Sequence, residues 1–145
     1  MSTRKRTFNH GDKESRYRKA CERLGTETPH CLLSGESNPH AIELHHVAGR
    51  DFDDEVIPLS LNHHARVSDA QKDHPSKIPD CRNPLEPIGH FMLGLGDLVA
   101  VAAEDHREHR LYEFLMYLRW KLKEFGLLLI GMARRNPHSD MGIAP

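Results

Sequence analysis

The chain has 145 residues, 38% hydrophobic and 28% charged, with a formal net charge of −1. That size and polarity suit one domain with a modest core, or one small domain with an added helical layer, and the whole-chain charge gives no sign of a polybasic nucleic-acid binder. The cysteines, Cys21, Cys31 and Cys81, are odd in number and form no CxxC, which excludes a disulfide framework and suits a reducing compartment.

The charge is unevenly distributed. Met1–Gly25 carries eight Lys/Arg against three acids. Arg4, Lys5 and Arg6 in this arm are candidate phosphate contacts, the alternative being a solvated terminus. "MSTRKRTFNHGDK" has no apolar core and does not read as a signal peptide. The most apolar stretches, Phe91–Ala103 and Gly126–Met132, read as too short or interrupted to span a bilayer. The expectation is a cytoplasmic protein, of a bacterial or phage-infected cell, with no membrane partner.

Asp12 opens a helix expected over 12–24, which Gly25 stops. "TETPHCLLSGESNPH" reads as loop, and "AIELHHV", with alternating Ile42 and Leu44, as a strand. "AGRDFDDE" is a turn with four acids among residues 51–55, and "VIPLSL" a second strand that Pro58 restricts to an edge. "NHHARVSDAQKDH" follows as a helix, with Asn62 as expected N-cap and Pro75 as its end. "PSKIPDCRNPLEPIG" holds four of the nine prolines and reads as a linker. Helices are expected at about 85–103 and 106–130. In the second, Leu111, Leu115, Leu118, Leu122 and Phe125 step by 4, 3, 4 and 3, a seam for packing on the same chain or for pairing two copies as a homodimer. His106 and His109 read as a solvated face.

The chemistry concentrates in two histidine pairs, His45-His46 at the end of the first strand and His63-His64 at the start of the helix. A hairpin packed on a helix brings these ends together, so one strand histidine and one helix histidine can share a divalent metal ion. Neighbouring strand residues point to opposite sides. The second strand histidine is then held nearby without ligating, and a free imidazole beside a metal and a phosphodiester suits general-base work. Twelve histidines make some clustering expected by chance, and satisfied surface residues are the plain alternative.

The stretch "CLLSGESNPHAIELHHVAGRDFDDEVIPLSLNHHARVSDAQKDHP" resembles the HNH nuclease domain, the ββα-metal fold, over about a third of the chain. The "HHVAGR" run, the later "LS" or "VS" and "Q…HP" are similar to a prokaryotic and phage branch of that family. The resemblance implies an α+β fold: a ββα-metal core at 29–78, a basic arm and helix at 1–28, and a C-terminal α-helical layer at 79–145. It implies metal ligands at His45 and His64 and a general base at His46. The Asn that orients the base in many members falls near Glu55, whose carboxylate would take that part. Family members carry two CxxC knuckles; here those positions are Cys31, Ser34, Ser60 and His63, and hydroxyls are poor zinc ligands. No structural zinc is expected, with apolar packing from Leu32, Leu33 and Leu59 holding the knuckle. A third ligand position falls on Ser68, and Asn62 or His63 would ligate if the register slipped by one.

Arg50 is a candidate phosphate clamp, and Ser68 and Gln71, on the helix face of His64 and Val67, are candidate substrate contacts. The implied function is DNA hydrolysis by an endonuclease with one divalent ion (Mg, Mn, Ni or Zn). The alternatives are a catalytically inactive nucleic-acid-binding protein on a degenerate HNH scaffold, and an assembly protein acting through its C-terminal helices.

Overall fold

The computed structural model describes residues 10–106 and 108–139. The fold is α+β, with four helices and a small two-stranded antiparallel sheet. Helix α1 spans His10–Leu24 and buries Ala20, Cys21 and Leu24. Arg23 in its last turn donates to the carbonyls of Pro39 (3.2 Å) and Ile42 (2.8 Å). That basic residue fastens α1 to the start of strand β1.

Strand β1, Ile42–His46, pairs with β2, Val56–Ser60, in a register that places His46 opposite Val56 and Leu44 opposite Pro58. Proline is tolerated because every strand of a two-stranded sheet is an edge. On the far side of β2, the carbonyl of Pro58 accepts from Leu32 N–H (2.9 Å). Helix α2, Leu61–Gln71, follows β2 without a linker. Its N-cap is Ser60, not the expected Asn62: the Ser60 side chain accepts from His63 N–H (3.3 Å). A hydroxyl three residues ahead of an unpaired helical N–H reaches it, and Asn62 already lies inside the first turn.

Helix α3, Leu85–Asp105, begins inside the proline-rich stretch read as a linker. Pro84 is its N-cap residue and Pro87 sits in its first turn, where the missing N–H has no helical acceptor to lose. Helix α4 is longer than expected, His109–Arg135. The two helices cross where Gly89 and Gly126 meet. A Cβ on Gly89 would lie 2.8 Å from the Gly126 carbonyl, and one on Gly126 2.7 Å from the Gly89 carbonyl.

One core runs across residue 78. Val47, Leu59 and Val67 of the hairpin and α2 share one buried cluster with Leu98 and Val101 of α3. The contact is backbone-close at Gly94, where a Cβ would fall 1.8 Å from the Val47 carbonyl. Among the described residues α3 is also the one helix long and apolar enough to cross a membrane, and half of its apolar window is buried within the fold. It therefore exceeds the apolar stretch read from the sequence, and its burial under the hairpin gives that apolarity a packing role.

Candidate metal centre

The first strand sorts its side chains by alternation. Glu43 and His45 share one face, and His46 takes the other. Helix α2 lies on the Glu43/His45 face and brings His64 to it. The His45 and His64 rings stand edge to face, with centroids 5.3 Å apart and planes 83° apart. His64 Nδ1 is 3.0 Å from a Glu43 carboxylate oxygen. That nitrogen carries the proton and donates it, leaving the Nε2 lone pair of His64 free. His45 is 2% exposed, and its Nε2 is buried with no hydrogen-bond partner. Burial, helped by the neighbouring His64 and His46, pushes its pKa down to about 4, so the ring is neutral near pH 7. An unpaired buried ring nitrogen is costly unless something ligates it. Two imidazoles converging edge to face, one backed by a carboxylate, fit a shared divalent ion, the carboxylate–histidine arrangement being common behind metal ligands.

His46 faces the turn. Its Nδ1 lies 3.1 Å from the main-chain carbonyl of Asp53 and donates to it, which leaves the Nε2 lone pair available as a base. The group orienting His46 is a backbone oxygen of Asp53, not the carboxylate of Glu55, which is exposed and whose own N–H donates to Asp53 Oδ1 (3.0 Å). The turn is held in shape by several contacts. Gly49 adopts φ +95°, and its carbonyl accepts from Phe52 N–H (3.0 Å) and Asp53 N–H (3.3 Å). Phe52 stacks on His90 of α3, centroids 3.7 Å apart, and Lys77 donates to the Asp51 carbonyl (3.0 Å).

Comparison of the chain with family models, with curated proteins and with solved structures finds no match. The site therefore rests on its own geometry. Gln71, read as a substrate contact, uses its amide to donate to the carbonyls of His46 and Val47 (both 2.9 Å), so it fixes the end of β1. Ser68 lies half-buried on α2 one turn past His64, and Arg50 is exposed at the turn. Arg4, Lys5 and Arg6 lie outside the described residues. Among the described residues no group of three or more His, Cys, Asp or Glu stands ready to hold an ion.

The four knuckle positions do converge, and polar contacts hold them. Ser60 Oγ is 2.8 Å from His63 Nδ1, Cys31 Sγ is 3.5 Å from the same nitrogen, and Ser34 N–H donates to Cys31 Sγ (3.4 Å). With Ser60 donating to Nδ1, His63 Nε2 carries the proton and donates to Asp105 (2.6 Å). Arg66 donates to the other Asp105 oxygen (2.9 Å). Burial pushes the Cys31 thiol up, but hydrogen bonds from the Ser34 side chain and from main-chain groups of Ser34, Ser60 and Leu33 outweigh it and bring it to about 6. The expected apolar grip is only partial: Leu59 is buried and Leu33 packs against the core, while Leu32 is 60% exposed. His63 belongs to this network and is turned away from His45.

Beneath the turn lies a buried ionic cluster that the sequence reading missed. Asp97 of α3, 1% exposed, accepts from His74 (2.7 Å) and pairs with Lys123 of α4 (2.5 Å). Burial raises its carboxyl, and the hydrogen bonds from His74 and Lys123 outweigh that and hold it below the ordinary value. The "Q…HP" spacing carried His74, but Asp97 and Lys123 are distant in sequence and gave no local signal.

Proposed function

We propose that the chain is a divalent-metal-dependent endonuclease of the HNH type, a ββα-metal core that hydrolyses DNA phosphodiester bonds. The observation that carries this reading is the buried, partnerless His45 Nε2 set against His64, with His46 turned to the opposite side of the strand and its proton fixed on Nδ1. His45 and His64 would hold the ion, with Glu43 orienting His64. An ion bound there would draw charge from the phosphate and from the leaving 3′ oxygen. His46, through Nε2, accepts the proton of the attacking water as it closes on phosphorus in line with the leaving oxygen. Asp53 keeps that nitrogen unprotonated by holding the proton on the other one. Arg50 and the basic arm supply phosphate contacts that position the duplex without reading its sequence.

The test is nicking of supercoiled plasmid by the purified chain with EDTA, Mg²⁺, Mn²⁺, Ni²⁺ or Zn²⁺. His46→Ala should lower the nicking rate by about 10²–10⁴-fold while metal titrations stay unchanged. Nicking at the wild-type rate by that variant removes His46 from the chemistry.

The small donor set favours one second reading, a nucleic-acid-binding or assembly protein that does not cut. Failure of every ion to support nicking, with salt-sensitive DNA binding retained, would move the assignment there.

A further inference from the structure

The outer face of α4 is apolar and uncovered. Nine of the fourteen exposed large hydrophobic side chains among the described residues lie on this one helix. Its other side is accounted for: Leu129, Ile130 and Ala133 are buried, and Leu115, Leu118 and Leu122, the leucines of the seam read for packing or pairing, are half-buried on the side that meets α3. Opposite that side, Phe114 (60% exposed), Tyr117 (58%), Leu128 (53%) and Met132 (40%) recur at helical spacing. A face of this kind, about 27 Å long, exceeds the scattered apolar exposure of an ordinary monomer surface.

Charge identifies what fits it. Lys121 and Glu124 sit at the centre of the stripe, both exposed, and contact each other at 3.2 Å within the chain. Consider a second α4 running antiparallel about a two-fold axis between residues 122 and 123. Lys121 of each copy then meets Glu124 of the other, Tyr117 meets Leu128, and Phe114 falls opposite Gly131, beside Met132. The stripe is self-complementary in shape class and in charge, as an isologous interface requires. Arg110 and Arg135 lie on the same face at its two ends. In an antiparallel pair these ends come near each other, and a shallow crossing of about 20° keeps the stripe in contact while the long arginine side chains turn out into solvent. Burying the stripe on both copies removes on the order of 1,000 Å² in total, the lower bound for a specific interface.

We infer that α4 is a homodimer interface, formed by antiparallel crossing of two copies through Phe114, Tyr117, Lys121, Glu124, Leu128 and Met132. The inference does not depend on the metal centre. Sedimentation of the full chain across a concentration series should show a reversible dimer. Lys121→Glu places an acid against Glu124 of the partner copy, and Glu124→Lys places a lysine against Lys121; each should weaken the dimer roughly tenfold or more. A one-to-one mixture of the two variants should re-form it, because Glu at 121 then meets Lys at 124 and Lys121 meets Glu124. Change confined to one chain's own folding would not be rescued by mixing. A wild-type chain that stays monomeric throughout overturns the inference, and binding of that monomer to anionic vesicles would assign the face to a lipid surface. A dimer indifferent to both reversals and to Leu128→Arg also overturns it.

Discussion

At the scale of the residue, the candidate centre is a set of ring nitrogens whose protons are assigned by their neighbours. Glu43 fixes the tautomer of His64, and the Asp53 carbonyl fixes that of His46. Removing such an orienting carboxylate from behind a ligand costs about 10–100-fold in metal affinity. Glu43→Gln should therefore weaken Mn²⁺ or Zn²⁺ binding by that factor in a calorimetric titration, with the circular dichroism spectrum unchanged. Equal affinity would mean that Glu43 does not act on His64. His45, His46 and His64 were legible in the sequence because strand alternation and a helix start fix where such side chains go. Glu43 stood two residues before His45, on its face, but a glutamate on an edge strand has an ordinary solvated reading. Asp53 was not legible at all, because a main-chain oxygen leaves no mark in the side-chain alphabet.

At the scale of the element, the site depends on how closely α3 underlies the hairpin. Gly94 is the point of contact, and the group it would strike is backbone, the carbonyl of Val47. A backbone neighbour cannot swing aside as a lysine tip can. Gly94→Val should push α3 away from the strand end, expose Leu98 and Val101, and destabilise the chain by several kcal/mol, within the range that overpacking and lost burial give. Thermal unfolding measures it, and an unchanged midpoint would show that α3 shifts at no cost. The helices themselves were largely readable, but their ends were not. Pro84 and Pro87 in "NPLEPIG" look like loop until one sees that an N-cap and a first turn have no hydrogen bond for proline to break. The leucine spacing in α4 gave the helix, and of its two readings the one seen is packing within the chain. A ladder of leucines marks the side that packs, and here that side packs on α3.

At the scale of the whole molecule, buried groups that prefer one protonation state link folding to pH. His90 is buried in α3, and burial, with the nearby His74, lowers its pKa from 6.5 to about 4. As pH falls below the unfolded value the unfolded chain gains a proton that the folded chain refuses, so stability declines between about pH 6.5 and pH 4. Asp97 adds to this at lower pH. Its folded pKa is depressed, so its contribution is present above the unfolded value and disappears as pH falls through the folded one. The midpoint of thermal unfolding in chelator should thus fall steadily from pH 7 to pH 4, and His90→Gln should flatten the upper part of that decline. A midpoint independent of pH in this range would mean that His90 titrates normally. None of this could be read from the chain. His74, in the turn after α2, meets Asp97 and Lys123 only once α3 and α4 are packed beneath it, and no local spacing announces such a contact.

The carbonyl that orients His46 belongs to the peptide bond, and every residue has one. Position 53 can therefore change and still present the same oxygen, losing only the contact its side chain makes with the Glu55 N–H, provided that the turn keeps its curvature. Constraint is displaced onto Gly49, with φ +95°, and onto Phe52, stacked on His90, whose side chains or lack of them shape the loop. A saturation scan should be shallower at 53, where Asp and Asn keep the bond to Glu55 N–H, than at 49 and 52. Heredity at this site would then be recorded one to four residues away from the atom that matters.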